Sequence, residues 1–137
     1  MNRTPDLPPL SHAGAFSRHG GFLLRACVDP DNSRRQAFAR RWDIELDVAD
    51  MAELSVDSGV FDVISICSPT TLHRQHIEQA LALRPRVIFC EKPLTSDLTV
   101  SKQLVGDCNA SGVALVVNYS RQWDPVLAEL ATQLGNG

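Results

Sequence analysis

Residues 86–94 read RVIFCEKPL, an apolar run that ends in a carboxylate, an ammonium group and a proline. A buried parallel strand has this pattern, because apolar side chains fill both of its faces and polar groups appear where it ends. Pro93 fixes its own φ and favours an extended conformation for Lys92, which makes the turn stiff. Taken alone, Glu91-Lys92-Pro93 is also what a solvated turn between a strand and a helix contains. Its meaning therefore depends on the rest of the chain.

Further apolar runs, separated by helical patterns, lie on either side of this stretch. Strands are predicted at residues 22–28, 61–67, 86–90 and 113–117, with a short edge strand at 44–46. Helices are predicted at residues 10–19, 34–42, 49–56, 70–83, 96–109 and from 124 onward. The expected N-caps are Asn32 or Ser33, Thr70 or Thr71, and Ser96 or Asp97. This alternation predicts an α/β fold with a parallel sheet, helices on both of its faces and right-handed crossovers.

Length and composition are those of one soluble globular domain. The chain has 137 residues, of which 44% are hydrophobic and 21% charged. Its formal charge of -3 gives no basic footprint for nucleic acid, and no apolar run is long enough to suggest a membrane span. The N-terminus has no apolar core of a secretory signal, so we expect a cytoplasmic location. Residues 1–9 are proline-rich and predict an arm, which leaves residues 10–137 for the domain.

The four cysteines are Cys27, Cys67, Cys90 and Cys108. They are far apart in the sequence and lack the spacing of metal ligands, so the sequence predicts no metal site. Three of them end apolar runs. We therefore expect small buried hydrophobic side chains in a reducing compartment.

Polar residues follow four of the predicted strands: Asp29, Ser68-Pro69-Thr70, Glu91-Lys92 and Asn118. If the sheet is parallel, these strand ends share one edge, where open α/β sheets bind ligands. Asp29 is placed to accept hydrogen bonds from the adenosine ribose hydroxyls of a dinucleotide, which favours NAD over NADP. The alternative for Asp29 is a simple strand-terminal turn with Pro30.

The turn at residues 68–70 also has two interpretations, one as a ligand site and one as ordinary local structure. Its hydroxyl groups stand at the start of a helix, where free N–H groups and the helix dipole favour an anionic or polar ligand. It is equally the composition of an ordinary N-cap. His73 and His76 follow on the predicted helix, three residues apart. A lone histidine in such a place is more often structural, and no metal-ligand set surrounds this pair.

The order and spacing of three segments closely resemble the nucleotide-binding half of the Gfo/Idh/MocA oxidoreductases. These segments are FDVISICSPTTLH at residues 61–73, EKPL at 91–94 and VVNYSR at 116–121. The segment VDPD at residues 28–31, followed by RQAFA at 35–39, is also typical of that family's second strand and helix. The resemblance covers residues 10–134 and implies a Rossmann-like, doubly wound parallel sheet.

The resemblance also implies an activity and a set of roles. The activity is hydride transfer between NAD(P) and a hydroxyl carbon, usually of a sugar, cyclitol or related polyol. Lys92 would stand beside the reacting carbon as the catalytic residue, and Arg121 would approach the substrate. The dinucleotide would be lined by the residues that match the family's cofactor site, which are Asp29, Ser68, Pro69, Thr70, His73, Glu91 and Asn118.

Two features of the family pattern are not found in this sequence. No apolar strand followed by a G-x-G-x-x-G turn precedes Phe22, so the sheet is expected to be incomplete at the N-terminus. The chain also ends where the family's substrate domain would begin. We therefore expect the 137-residue chain by itself to be inactive, and a start codon placed downstream of the true one is the favoured origin.

The absence of a central strand would leave unpaired N–H and C=O groups on two neighbouring strands. Direct pairing of those strands, a strand donated by another copy of the chain, or a partner protein would satisfy them. The alternative function is accordingly an inactive remnant that acts as a binding or interaction module.

Overall fold

A computed structural model of the chain describes residues 11–55, 60–120 and 124–135. The chain divides into two compact units, Met1–Gly59 and Val60–Gly137. The helices are α1 (His12–His19), α2 (Asn32–Trp42), α3 (Thr70–Ala82), α4 (Leu98–Ala110) and α5 (Pro125–Gly135). The strands are β1 (Ala26–Val28), β2 (Leu46–Val48), β3 (Val63–Ile66), β4 (Val87–Glu91) and β5 (Ala114–Asn118). The predicted α/β class is confirmed, since all the strand pairs are parallel.

The first unit contains a two-stranded sheet, in which β1 and β2 pair from Ala26↔Leu46 to Val28↔Val48. Helix α2 packs against both strands. Arg35 of α2 joins the helix to β2 and to the end of β1. Its Nε donates to Asp47 Oδ1 at 2.8 Å, and its Nη1 donates to the Asp29 carbonyl at 2.8 Å. The end of β1 is therefore held by a charged side chain from the following helix.

Helix α1 and β1 show where the sequence overestimated a strand. Ser11 caps α1 through Gly14 N, and Gly20 ends it at φ 73°, as the glycine pair predicted. The strand expected from residue 22 begins only at Ala26. Phe22 lies before the strand and is 42% exposed, with its ring centroid 4.8 Å from that of Phe16.

The second unit contains a three-stranded sheet in the order β3-β4-β5. Helix α3 packs on β3 and β4, α4 packs on β5, and the two helices also contact each other. Both crossovers therefore lie on the same face of this sheet, as two successive right-handed connections require.

The core of the second unit lies between that face and the two helices. Ile66, Ile88 and Cys90 project into it from the sheet, while α3 and α4 contribute further side chains. The core side chains that are less than 2% exposed are Ile77, Ala80, Ile88, Leu104, His73, Cys90 and Cys108. A histidine is thus among the most deeply buried side chains of the unit.

The sequence predicted a parallel sheet that lacks a central strand, and the described residues form two separate sheets. Within the described residues, β1 pairs only with β2, and β3 pairs only with β4. No described strand bonds to both β1 and β3, which is why the two sheets do not merge. Asp29 consequently belongs to a different sheet from the other predicted site residues, and its place at a shared edge stays a prediction.

Two of the three predicted caps are also wrong. Helix α2 begins at Asn32 and is capped by Asp31, whose Oδ1 accepts from Arg34 N at 3.0 Å. Helix α3 begins at Thr70 with Pro69 in the N-cap position, and no side chain caps it. Asp97 caps α4, as one of the two predicted candidates.

The segment between α2 and β3 differs from the prediction as well. The edge strand expected at residues 44–46 lies at Leu46–Val48, and the Ile44 N–H donates to the Ala39 carbonyl of α2 at 3.0 Å instead of pairing in the sheet. The helix expected at 49–56 is a single 3₁₀ turn, Met51–Glu53, closed by a capping box between Asp50 and Glu53. Residue 56 lies outside the described part of the chain.

None of the helices within the described residues is long and apolar enough to span a membrane.

Candidate functional site

The carboxyl ends of β3, β4 and β5 lie side by side at one edge of the three-stranded sheet. The register pairs Ile66 with Cys90 and Glu91 with Asn118. Ser68 follows β3 by two residues, and Lys92 follows β4 directly. The structure therefore brings three of the four predicted strand ends together, as the parallel arrangement requires.

Glu91 is held on both of its carboxylate oxygens. Asn118 Nδ2 donates to Glu91 Oε1 at 2.8 Å, and the backbone N–H of Lys92 donates to Glu91 Oε2 at 3.3 Å. Glu91 and Asn118 are both half-buried. The carboxylate thus joins the ends of two neighbouring strands and fixes the backbone on the amino side of Lys92.

Lys92 itself is exposed, and its peptide bond to Pro93 is cis. No carboxylate in the described residues forms an ion pair with its ammonium group. The side chain is therefore available as a hydrogen-bond donor and positive charge at the edge of the sheet.

The turn from β3 to α3 presents the amino end of a helix at the same edge. Pro69 occupies the N-cap position, offers no side-chain acceptor and is exposed. Leu72 N bonds the Pro69 carbonyl at 2.9 Å, but no side chain satisfies the first N–H groups of α3. This end of α3 can accept a polar or anionic group of a ligand. The interpretation of Thr70 or Thr71 as an ordinary N-cap is wrong.

Two histidines of α3 reach back to that turn. His73 is 1% exposed, and its Nε2 contacts the Ser68 carbonyl at 2.9 Å. Its Nδ1 contacts the carbonyls of Pro93 at 3.0 Å and Leu94 at 3.1 Å. His76 Nδ1 lies 2.8 Å from Ser68 Oγ. The predicted place of His73 beside the dinucleotide stays a prediction, and the structure shows its ring between two turns.

His76 was noted in the sequence and given no role. Its contact with Ser68 Oγ spans eight residues, from the β3–α3 turn to the second turn of the helix. The feature of the sequence that could have indicated a role for His76 is its spacing of three from His73, which puts both rings on neighbouring positions of one helix surface. That spacing alone does not show that both rings face the turn.

Asp29 lies in the first unit, one residue after β1. Its Oδ1 accepts from Asp31 N at 2.8 Å, and Arg34 Nε lies 3.9 Å from the same oxygen. The side chain is 35% exposed. These contacts are those of the strand-terminal turn, and the carboxylate remains partly exposed to a ligand. Arg121 lies outside the described residues, so its predicted substrate contact stays a prediction.

The four cysteines differ in burial. All four are free thiols; Cys90 and Cys108 are fully buried, while Cys67 is exposed and Cys27 is half-buried. The prediction of buried cysteines is therefore confirmed for Cys90 and Cys108, holds only in part for Cys27, and is wrong for Cys67, which lies beyond the last paired residue of β3. Burial raises the pKa of Cys90 to about 12, with smaller contributions from Cys67 and Glu91. Cys90 is a neutral thiol beneath the site.

No group of three or more potential metal ligands comes together among the described residues. The polar groups at the edge are instead a lysine, a clamped carboxylate, an amide and an uncapped helix end. Such a set suits a ligand with hydroxyl and amide groups, such as a nucleotide or a polyol.

Comparison with known proteins is consistent with this arrangement. Residues 10–119 match the family GFO_IDH_MocA, described as an oxidoreductase family with an NAD-binding Rossmann fold. An uncharacterized oxidoreductase of Bacillus subtilis (strain 168), YrbE, is 32% identical over 126 residues, which are 92% of this chain and 36% of that protein. The scyllo-inositol 2-dehydrogenase (NAD(+)) of the same organism is 35% identical over 112 residues, which are 81% of this chain and 32% of that protein.

A solved structure shares the fold as well. It is an oxidoreductase from Agrobacterium radiobacter in complex with NAD+, L-tartaric acid and magnesium, with a TM-score of 0.74 and 27% sequence identity. The alignment covers 82% of this chain and 32% of that one. The chain therefore spans about a third of the length of the relatives it matches.

Proposed function

The chain belongs to the Gfo/Idh/MocA family of oxidoreductases with an NAD-binding Rossmann fold, and from this premise we propose that it is the cofactor-binding portion of an NAD-dependent dehydrogenase of a sugar, cyclitol or related polyol. The observation that carries the proposal is the exposed Lys92, which follows β4 beside the Glu91–Asn118 pair and the uncapped end of α3. The identity with an NAD-dependent scyllo-inositol dehydrogenase supports the choice of substrate class.

The described residues of the second unit fit the nicotinamide half of a dinucleotide. Bound NAD supplies the hydride acceptor. The uncapped N–H groups of α3 suit its polar groups, and Ser68, Pro69 and Thr70 line that approach. Glu91 and Asn118 hold each other and border the nicotinamide end. His73 contributes to this cofactor site by contacting the backbone carbonyls of Pro93 and Ser68.

Lys92 is proposed as the catalytic residue. An ammonium group donates hydrogen bonds and carries a positive charge, so it stabilises the negative charge that develops on a hydroxyl oxygen when its proton leaves. To relay that proton, the group first releases one of its own protons to solvent and then takes up the hydroxyl proton as a neutral amine. Arg121 is proposed as a second substrate contact.

Asp29 is proposed to bind the adenosine ribose. A carboxylate accepts hydrogen bonds from both ribose hydroxyls and repels a 2′-phosphate, so NAD is preferred to NADP. Arg34 lies near this carboxylate, and its side chain is 72% exposed. Because an arginine in this position can accommodate a 2′-phosphate, the preference for NAD depends on the Asp29 carboxylate staying at the end of β1.

Calorimetric titration of the 137-residue chain with NAD and with NADP tests the proposal. We expect micromolar binding of NAD and weaker binding of NADP. Lys92→Ala should weaken NAD binding slightly, and Lys102→Ala, at an exposed position of α4, is the matched control that should leave it unchanged. No detectable heat at millimolar NAD would sink the proposal.

Substrate class is tested separately by following NADH absorbance with inositols and sugars as hydroxyl donors. Any turnover that is lost in Lys92→Ala and retained in Lys102→Ala would support the catalytic role of Lys92.

A further inference from the structure

We propose that His73 is a positioning residue that couples the turn holding the dinucleotide to the turn holding the catalytic lysine. We call residues 68–70 the serine turn and residues 91–94 the lysine turn. The inference deepens the proposed function and rests on it for its consequence in cofactor affinity. The coupling itself is a property of the chain without any ligand.

The geometry places one buried ring between two backbone segments. His73 Nε2 contacts the Ser68 carbonyl at 2.9 Å on one side. On the other side Nδ1 contacts the Pro93 and Leu94 carbonyls at 3.0 and 3.1 Å, across 20 and 21 residues of sequence. At 1% exposure the ring is withdrawn from solvent, so these contacts are not replaced by water. Its polar atoms are used within the protein, which makes His73 a link between turns.

All three partners are carbonyl oxygens, which accept hydrogen bonds and do not donate them. A ring nitrogen therefore forms a hydrogen bond here only when it carries the proton. The neutral ring donates to one turn in one tautomer and to the other turn in its second tautomer, and the doubly protonated ring donates to both. The position of the proton on His73 thus determines which of the two turns is held more firmly.

The second histidine of α3 strengthens one side of the link. His76 Nδ1 lies 2.8 Å from Ser68 Oγ, so both the carbonyl and the hydroxyl oxygen of Ser68 meet an imidazole. When His76 Nδ1 carries a proton, it donates to Ser68 Oγ and leaves the hydroxyl hydrogen free for a ligand. When that nitrogen is unprotonated, the hydroxyl donates to it. The orientation of the Ser68 hydroxyl therefore follows from His76.

On the other side, the lysine turn is fixed at both of its ends. Glu91 is held by Asn118 and by the Lys92 N–H, as described above. Pro93 and Leu94 are held by His73. Lys92 lies between these two attachments, so its backbone is fixed while its side chain remains exposed. Loss of the His73 ring would release one end of this turn and leave the other attached.

Three variants separate the two sides of the link. His73→Asn keeps a donor near Nδ1, toward the lysine turn, and His73→Gln keeps one near Nε2, toward the serine turn. His73→Phe fills the space with no donor. Ile77→Val is the matched control, because Ile77 is fully buried on the same helix, one turn further on, and forms no polar contact.

The readout is the backbone carbonyl ¹³C chemical shift of Ser68, Pro93 and Leu94 in the full chain without ligand, because these shifts respond to hydrogen bonding. We expect His73→Asn to change the Ser68 shift and spare the other two, and His73→Gln to do the reverse. Ile77→Val should lower the unfolding temperature and leave all three shifts in place. The inference is overturned if the Asn and Gln variants change all three shifts equally, or none.

Cofactor affinity is then measured on the same proteins by titration with NAD. Loss of the link is expected to weaken binding roughly tenfold in His73→Phe, about the effect of one lost hydrogen bond, and not in Ile77→Val. If wild-type chain binds no NAD, the proposed function fails, whereas the chemical shifts still decide the coupling. If NAD binds equally well to wild type and to His73→Phe, the positioning role is wrong even though the cofactor site is real.

Discussion

Asn118 and Glu91 form a polar contact between the ends of two strands at the candidate site, with 2.8 Å between Nδ2 and Oε1. Neither residue by itself indicates a functional site in the sequence, because an asparagine after a strand is common in turns. Together they immobilise the residue that precedes Lys92. The sequence placed both in a cofactor site by resemblance, and the structure adds that they hold each other.

Asn118→Asp tests this pair. The change sets two carboxylates against each other, so the free energy of unfolding at pH 7 should fall by about 1–3 kcal/mol. The loss should shrink as the pH falls toward about 4, where one of the carboxyl groups takes up a proton. Chemical denaturation at several pH values measures both effects.

The control is the double variant Asn118→Asp with Glu91→Gln. It reverses donor and acceptor, since the glutamine amide now donates to the aspartate, and it should recover most of the stability. An additive loss in the double variant would show that the two side chains do not interact.

Cys90 gives a second prediction at the scale of single residues. Burial is the main cause that raises the pKa of Cys90 from its ordinary value of 9.0 to about 12, so the folded protein keeps a proton that the unfolded chain releases. The unfolded state binds fewer protons in this interval, and stability is therefore full below pH 9 and falls as the pH rises from 9 toward 12. Denaturation of wild type and Cys90→Ala across this range should show a shallower decline in the variant.

Cys67→Ala is the matched control for that measurement, because Cys67 is exposed at the end of the neighbouring strand. Its removal should leave most of the alkaline decline in place. Equal slopes for wild type and Cys90→Ala would contradict the assignment of the decline to Cys90.

At the scale of elements, helix ends depend on positions that composition leaves ambiguous. Aspartate, asparagine, serine and threonine are all good caps, so a cluster of them predicts a helix start within a few residues and no better. Asp31 and Asp97 cap α2 and α4 because their carboxylates reach the N–H groups two or three residues ahead. Helix α3 begins after Pro69 instead, and its missing cap leaves the amino end open to a ligand.

Two glycines of the α4 region make a matched pair of predictions. Gly112 has φ 69°, a left-handed conformation that favours glycine, whereas Gly106 lies inside α4 with no atom near its absent Cβ. Gly112→Ala should therefore lower the free energy of unfolding by roughly 1 kcal/mol, and Gly106→Ala should raise it by a similar amount. Thermal and denaturant unfolding measure both. The same sign for the two substitutions would contradict the conformations assigned here.

At the scale of the whole molecule, the two sheets set the pattern of stability. Strand β4 is bonded on both sides, by β3 and by β5, and its core-facing residues Ile88 and Cys90 are fully buried. Strand β1 has three residues and, within the described part of the chain, one partner. A strand with two partners and a buried face opens only with the whole unit, whereas a short edge strand opens locally.

Native-state amide hydrogen exchange checks this expectation. The amides of β4 should exchange most slowly, with free energies of opening near that of global unfolding, and those of β1 should exchange faster. The internal control is β5, which has one described partner and no fully buried residue, and should be intermediate. Exchange in β1 as slow as in β4 would indicate that β1 has a further partner.

The sequence by itself determined the fold class, the order of the elements and the three polar strand ends of the second unit. It could do so because apolar periodicity and turn residues act locally, and because parallel strands bring their carboxyl ends to one edge. The Glu91-Lys92-Pro93-Leu94 turn was found this way, and the structure places it where the pattern predicted.

Tertiary structure alone decided the environment of His73. The interruption of the sheet between β1 and β3 was indicated by the sequence, because no strand that could pair with both precedes Phe22. The His73 ring meets carbonyls 5, 20 and 21 residues away, and only packing of α3 on β3 and β4 brings them within hydrogen-bond distance. Contacts with backbone carbonyls that are distant in sequence cannot be predicted from residue types, because every residue carries a carbonyl.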